Sequence, residues 1–138
     1  MTIDDYEKIY ELWTSSPGMG LRSLDDTRDG INKFLLRNPR TCFVAESGGT
    51  MAGVILCGHD GRRGYIYHAV VKEDFKRKGI GRRLVAAAEE SMKREGINKL
   101  ALVVFSDNKN GNEFWEHTGY GPRPDLVYRD KSINDANL

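Results

Sequence analysis

A short basic segment in the middle of the chain combines residue types suited to holding an anion. Residues 76–81 read Lys-Arg-Lys-Gly-Ile-Gly, after the apolar run Ala69-Val70-Val71 and before an amphipathic helical pattern. Glycine allows a tight turn and a close approach to a ligand, and the first turn of a helix leaves N–H groups without partners. The helix macrodipole adds partial positive charge there. The segment therefore predicts an anion site, most simply for phosphate.

Two common phosphate-binding motifs do not fit this segment. A P-loop requires Lys and then Ser or Thr near its second glycine, whereas Arg82 follows Gly81. A dinucleotide-binding fingerprint requires a further glycine where Leu84 stands. An ordinary strand-to-helix turn with a solvated basic face is the alternative for this segment taken alone.

Length and composition restrict the class of protein. The 138 residues fit one domain, and the formal net charge of +1 offers no general attraction for nucleic acid or a membrane, so neither is expected as a partner. Cys42 and Cys57 lie in apolar runs without a metal-ligand spacing, which predicts reduced thiols in a cytoplasmic protein and no bound metal. No apolar run is long enough for a membrane span.

The remaining pattern predicts a mixed α/β fold around the basic segment. Helical spacing predicts one helix from Asp4 and another over residues 25–37, joined by a loop at residues 15–23. The predicted strands are residues 41–46, 51–58, 65–71 and 100–105, with weaker strands near 120–123 and 126–131. The helix after Gly81 connects the third and fourth strands in parallel, as a right-handed βαβ unit. The tail after Ile133 is expected to fray.

Two segments resemble the recurring motifs of the GNAT-type N-acetyltransferase superfamily. Residues 76–81 resemble its Arg/Gln-x-x-Gly-x-Gly/Ala pyrophosphate loop, with Lys76 where the family usually has Arg or Gln. Residues 108–120 resemble its Asn-x-x-Ala/Gly-x-x-Phe-Tyr-x-x-x-Gly-Phe/Tyr element. The positions in register are Asn108, Gly111, Phe114, Gly119 and Tyr120. Because order and separation also match, the resemblance covers nearly the whole chain and implies one N-acetyltransferase domain over residues 1–138.

The resemblance implies a sheet of roughly six or seven strands, flanked by about four helices, whose two central parallel strands splay apart around the pantetheine arm of acetyl-CoA. Residues 64–71 and 99–105 should form this notch. It implies acetyl-CoA as cosubstrate and no metal. The implied coenzyme-binding residues are Ala69, Val70, Val71, Lys76, Arg77, Lys78, Gly79, Ile80, Gly81, Arg82, Asn108, Gly111 and Trp115. The family also opens with an edge strand that has no counterpart before the first helix here, unless the start site lies further upstream.

The implied reaction is direct attack on the acetyl thioester by a primary amine of a small molecule or peptide. A backbone N–H near Ala69 is the expected oxyanion donor. Some relatives carry a Glu in the notch strands, where this chain has apolar residues such as Val103, so His68 is the predicted base and a structural histidine is the alternative. Further candidates acting through water are Glu46, His59 and Asp60.

Trp115 stands where the family commonly has the tyrosine that protonates the leaving thiolate. An indole N–H does not release its proton, but a thiol pKa of about 8.5 lets coenzyme A leave as a thiolate. Tyr120 or Tyr128 could substitute, and Trp115 could equally be a packed helix residue. The missing Glu and Tyr leave open a non-catalytic acyl-CoA-binding regulatory domain. The chain is expected to be a monomer or homodimer, and neither residues 15–23 nor 121–125 identify the acceptor.

Overall fold

A four-stranded sheet separates two layers of helices in the computed structural model, which describes residues 1–138. The strands, in their order across the sheet, are β1 (Phe43–Ser47), β2 (Thr50–His59), β3 (Gly64–Val71) and β4 (Leu100–Ala101). The helices are α1 (Tyr6–Thr14), α2 (Arg28–Arg37), α3 (Ile80–Arg94) and α4 (Lys109–His117). β1, β2 and β3 are antiparallel neighbours, whereas β3 and β4 are parallel. This confirms the predicted mixed α/β fold with four helices.

α1 and α2 cover one face of the sheet with the apolar side chains that the helical spacing predicts. Their buried residues are Ile9, Leu12, Trp13, Ile31 and Leu35. These side chains pack in one cluster with Val54 and Leu56 of β2. Burying each large side chain contributes about 1.5–3 kcal/mol, so this cluster fixes both helices against the sheet.

α2 begins at Arg28, later than predicted, because Thr27 caps it. The Thr27 hydroxyl accepts a hydrogen bond from the N–H of Gly30 at 3.1 Å, which satisfies one of the unpaired donors of the first turn. Asp26 therefore lies in the loop before the helix, where it is buried against the sheet.

α3 packs on the opposite face through Leu84, Val85, Ala88 and Met92. The cluster also contains Cys57, and both cysteines of the chain are buried and free, as predicted. None of the helices has the length and apolar composition needed to cross a bilayer.

β3 and β4 separate after two paired positions. Gly64 is opposite Leu100 and Tyr65 is opposite Ala101, and the N–H of Gly64 donates to the carbonyl of Lys99 at 3.0 Å. No further pairing joins residues 66–71 to residues 102–105. The two strands thus form the splayed notch that the family resemblance implies.

The fourth strand is shorter than predicted. An apolar run from residue 100 to 105 predicts a buried strand, but only Leu100–Ala101 pairs with a neighbour. Val103 and Phe105 are each 58% exposed. The divergence of β3 removes the hydrogen-bonding partner at this end, so the prediction of a continuous buried strand is wrong.

The sheet has four strands where six or seven were predicted. Residues 120–123 and 126–131 form no strand, and Leu126, Val127 and Tyr128 are exposed. β4 is itself only two residues long, so its outer edge offers few hydrogen-bonding groups to a further strand. As expected, no strand precedes α1, where residues Ile3–Asp5 form a 3₁₀ turn.

The C-terminal tail is anchored, which contradicts the prediction that it frays. The N–H of Ser23 donates to the carbonyl of Leu138 at 2.8 Å, and the amide group of Asn137 bonds with Asp25 and with the N–H of Leu24. The last residues are therefore tied to the loop between α1 and α2.

Candidate active site

The predicted anion-binding turn connects β3 to α3. After a 3₁₀ turn at Glu73–Phe75, Arg77 has a φ of +63° and Gly79, the N-cap of α3, a φ of +80°. The backbone N–H groups of residues 77–82 make no hydrogen bond within the chain. These donors, together with the positive end of the α3 dipole, form a site suited to an anion.

The side chains of this turn contribute unequally to its charge. Lys76 forms an exposed ion pair with Glu73 at 2.8 Å, which lowers the pKa of that carboxyl and reduces the charge that Lys76 offers a ligand. The ammonium of Lys78 lies 5.4 Å from the centroid of the Phe75 ring. Arg82 is exposed and forms no ion pair. The turn therefore offers an anion mainly backbone donors, as expected from the sequence, and Glu73 partly neutralises Lys76.

The two glycines of the turn serve different purposes. Gly79 has a left-handed backbone, with open space where a Cβ would be. Gly81 has a helical backbone, but a Cβ there would lie 3.0 Å from Cε2 of Phe114 on α4. Gly79 permits the turn, whereas Gly81 permits the close packing of α4 on α3.

The second motif forms the start of α4. Asn108 caps this helix, because its Oδ1 accepts the N–H of Gly111 at 2.9 Å. A Cβ at Gly111 would lie 2.6 Å from Nδ2 of Asn108, so a larger residue there would have to displace the capping side chain. The contact of Phe114 with Gly81 brings the two motifs together.

Trp115 is a packed residue in this structure. Its ring lies 5.0 Å from that of Phe114 and 5.2 Å from that of Tyr120, both edge to face. The hydroxyl of Tyr120 donates to Glu89 at 2.9 Å, and burial together with this bond raises the pKa of Tyr120 far above its ordinary value. Tyr120 is therefore poorly suited to act as an acid, and Tyr128 is exposed on the C-terminal segment.

The edge of β3 offers backbone donors to the notch. The N–H of Lys72 donates to the carbonyl of Ala52 on β2 at 2.8 Å. Because alternate residues of a strand direct their backbone groups to opposite edges, Val70 faces β2 and the N–H groups of Ala69 and Val71 face the notch. The notch thus has unpaired polar groups beside it.

A bulge in β3 turns His68 toward α1. Leu56 and Cys57 of β2 are opposite His68 and Ile66, so Tyr67 is an extra residue in the ladder. His68 Nε2 lies 2.8 Å from Oδ1 of Asp26, and its ring packs edge to face against Trp13 at 4.9 Å.

The pair formed by His68 and Asp26 determines where the imidazole proton lies. Their side chains are only 12% and 6% exposed, and Oδ2 of Asp26 accepts the N–H of Arg22 at 2.6 Å. Since a carboxylate only accepts hydrogen bonds, Nε2 carries the proton and Nδ1 of a neutral imidazole keeps its lone pair. Nothing in the sequence indicated that Asp26, 42 residues away along the chain, is the partner of His68.

The other three candidate bases lie away from the notch or are engaged by other groups. Glu46 lies on β1, which is separated from β4 by the two strands β2 and β3. His59 bonds with Glu95 through Nε2 and accepts the N–H of Gly61 at Nδ1. Asp60 accepts the N–H groups of the two residues 62 and 63, both at 2.8 Å, and these bonds lower its pKa.

A cavity of about 460 Å³ adjoins the paired ends of β3 and β4 on the α2 side. Its aromatic residues are Phe34, Tyr65 and Tyr67. Tyr65 and Tyr67 are two residues apart on β3, and this spacing is the sequence signal that could have indicated an aromatic cavity on one face of the sheet. The cavity begins where the two strands are still paired, next to the notch.

Comparison with known proteins agrees with this architecture. The model of the acetyltransferase (GNAT) family matches residues 6–120. An acetyltransferase of Sodalis glossinidius is 32% identical over 130 residues, which is 94% of this chain and 90% of that protein. An acetyltransferase of Yersinia pestis is 29% identical over 132 residues, 96% of this chain and 92% of that protein.

Solved structures share the fold at lower sequence identity. An aminoglycoside acetyltransferase from an uncultured soil metagenomic sample, in complex with sisomicin, has a TM-score of 0.77 at 17% identity, covering 97% of this chain and 93% of its own. The PaiA N-acetyltransferase of Thermoplasma acidophilum, in complex with coenzyme A, has a TM-score of 0.73 at 19% identity. The match covers 99% of this chain and 91% of that protein. From the match over residues 6–120 and the relatives of similar length, we conclude that the chain belongs to the acetyltransferase (GNAT) family.

Proposed function

We propose that this protein is an N-acetyltransferase that moves the acetyl group of acetyl-CoA directly to a primary amine of a small molecule or peptide. The observation that carries the proposal is that the notch and the anion-binding turn are adjacent along the chain of a protein that belongs to the acetyltransferase family. The notch edge at Ala69 and Val71 leads directly into the turn at residues 77–82, whose backbone donors have no partner. Unpaired groups beside a cleft are costly unless a ligand satisfies them.

The proposed seat of the coenzyme uses the residues of these two features. Residues 77–82 would hold the pyrophosphate through their N–H groups, with Arg77, Lys78 and Arg82 adding charge. Ala69, Val70 and Val71 would line the pantetheine arm, with the backbone groups of Ala69 and Val71 as hydrogen-bonding partners. Acetyl-CoA supplies an acyl thioester whose thiolate is a good leaving group. Trp115, Asn108 and Gly111 support this seat through the packing and capping of α4.

We assign His68 as the general base and the N–H of Ala69 as the oxyanion donor. Asp26 orients the imidazole so that Nδ1 is the free acceptor, which can take a proton from the substrate ammonium before attack or from the amine as it attacks. The N–H of Ala69 faces the notch, where negative charge develops on the carbonyl oxygen.

Direct transfer is favoured over a cysteine-bound acetyl-enzyme because both thiols of the chain are buried and stay protonated. Burial raises the pKa of Cys42 to about 11 and that of Cys57 to about 12. A buried thiol in that range is not a thiolate at neutral pH. The two free thiols also support our proposal that the protein works in the cytoplasm.

The test is incubation with acetyl-CoA and a panel of amines while the release of free thiol is followed. We expect thiol release that requires both substrates and depends on the identity of the amine. The competing function is a non-catalytic acyl-CoA-binding domain, which the absence of a notch carboxylate and the packed Trp115 favour. Coenzyme binding without turnover on any amine would support that alternative and contradict ours.

A further inference from the structure

The cavity beside the notch has an aromatic floor. The ring centroids of Phe34 and Tyr67 are 5.4 Å apart, and those of Tyr65 and Tyr67 are 4.8 Å apart. Burial is the main cause that raises the pKa of both tyrosines, so their phenols stay neutral at physiological pH. This floor offers apolar contact to a ligand without adding charge.

The rim of the cavity is cationic. Arg37, Arg63 and Lys99 line it, and none of them forms an ion pair within the chain. The acidic residue of the lining is Asp60, whose Oδ1 is held by backbone N–H groups of the β2–β3 turn. Both carboxylate oxygens of Asp125 are bound by Arg123, which is the main cause that lowers its pKa, but Asp125 also lies near enough to Lys99 for that ammonium to contribute.

His59 also lines the cavity, but its polar atoms are committed elsewhere. Nε2 bonds with Glu95, and the carboxylate of Glu95 also accepts from Arg40 at 3.0 Å. The formal charges that face the cavity are thus three unpaired cations and one carboxylate that caps a turn. An anion entering the cavity would be attracted, and a polycation would be repelled.

The cavity is close enough to the notch for one small molecule to reach both. Tyr65 belongs to the last paired position of β3 and β4, and Tyr67 is two residues from Ala69. At a strand rise of about 3.3 Å per residue, Tyr67 and Ala69 are separated by about 7 Å along β3. An amine placed at Ala69 would therefore extend its far end over the tyrosines.

We propose that this cavity recognises a carboxylate of the acceptor, so that the preferred substrates are amines that carry a carboxylate several ångströms from the reacting nitrogen. The inference rests on the proposed function, because it specifies the acceptor for that reaction. The proposal predicts a different acceptor from that of the structural neighbour solved with sisomicin, because an aminoglycoside is a polycation that the rim would repel.

Matched acceptors test the proposal. We would compare glycyl-phenylalanine, β-alanine and lysine, each as the free carboxylate and as the carboxamide. The carboxylate form should have a kcat/KM about tenfold higher, as expected for one charge-assisted hydrogen bond at an open site. Equal values, or preference for the amide across all three pairs, would overturn the proposal.

Two variants in the same turn assign the effect to the rim. Arg63→Gln removes a lining cation, whereas Arg62→Gln removes an exposed cation that does not line the cavity, and both keep the backbone N–H groups that bind Asp60. We expect Arg63→Gln to abolish the tenfold preference and Arg62→Gln to retain it. Identical behaviour of the two variants would contradict the assignment.

A binding measurement separates this proposal from the proposed function. N-acetylglycyl-phenylalanine and its carboxamide cannot be acetylated further, so calorimetric titration of each reports the cavity alone. Tighter binding of the carboxylate, lost in Arg63→Gln, would support the cavity even if no amine is turned over, in which case only the proposed reaction fails. Equal binding of the two compounds would refute the cavity whatever the turnover.

Discussion

Replacing Asp26 by asparagine would exchange an oxygen for a nitrogen at the contact with His68. In the wild type, Oδ2 accepts the N–H of Arg22 at 2.6 Å and Oδ1 faces His68 Nε2 at 2.8 Å. The asparagine must keep its oxygen toward Arg22, so its NH₂ group faces the imidazole. The neutral ring would then accept at Nε2 and carry its proton on Nδ1, where no lone pair remains to receive a proton from the amine.

The expected result is a loss of rate with little loss of coenzyme affinity. Removal of a general base costs about 10²–10⁴-fold in kcat. The KM for acetyl-CoA should stay unchanged, because Asp26 lies at the loop before α2 and not at the turn of residues 77–82. Exchange of a charge-assisted hydrogen bond for a neutral one should lower the free energy of unfolding by about 1–2 kcal/mol.

The assay is steady-state kinetics on Asp26→Asn, His68→Ala and the double variant, with Asp25→Asn as the matched control. Asp25 is the neighbouring carboxylate and bonds with Asn137, without contact to His68. If the pair acts as one unit, the double variant is no slower than His68→Ala alone. A kcat for Asp26→Asn within twofold of the wild type would refute the role of His68 as base.

Two further changes test the turn and the packing around it. Gly81→Val should lower the free energy of unfolding by about 1–3 kcal/mol, because the valine side chain would be forced into Phe114. The same variant should bind acetyl-CoA more weakly in calorimetry. Unchanged stability and affinity would contradict the packing. Burial alone would raise the pKa of Glu95, but hydrogen bonds from His59 and Arg40 outweigh it and lower that pKa below 4.5. The Glu95 carboxylate therefore contributes its full stabilisation above pH 4.5 and loses it as the pH falls through the lowered pKa. Glu95→Gln should therefore be less stable than the wild type at neutral pH and similar to it in strong acid; a constant difference between the two in pH-dependent unfolding would exclude this explanation.

The elements that could be predicted from sequence are those whose signal is local. The helical spacing of α1 and α3 indicates which side chains are buried, and glycine at residue 79 indicates a left-handed turn before a helix. Family motifs added the splay of β3 and β4, which no local pattern encodes. The turn at residues 77–82 has the unpaired backbone donors that the sequence leads one to expect, and its role as a phosphate site stays a prediction.

The errors concern pairings between distant segments. The apolar run at residues 100–105 is typical of a buried strand, yet its pairing depends on the direction that β3 takes. Asn137 anchors the tail to a loop more than 110 residues away, and Asp26 meets His68 across 42 residues, so neither contact has a sequence signal. Burial of the Trp13 indole N–H without a partner is likewise a tertiary property, and no local pattern predicts it.

The most direct test of acetyl transfer in the notch is a two-substrate kinetic analysis, with acetyl-CoA and one accepted amine both varied. We predict intersecting double-reciprocal lines, thiol release that requires the amine, and no acetyl group left on the protein by mass spectrometry. Parallel lines together with an acetylated protein after incubation with acetyl-CoA alone would contradict direct transfer, because that pattern belongs to a covalent intermediate.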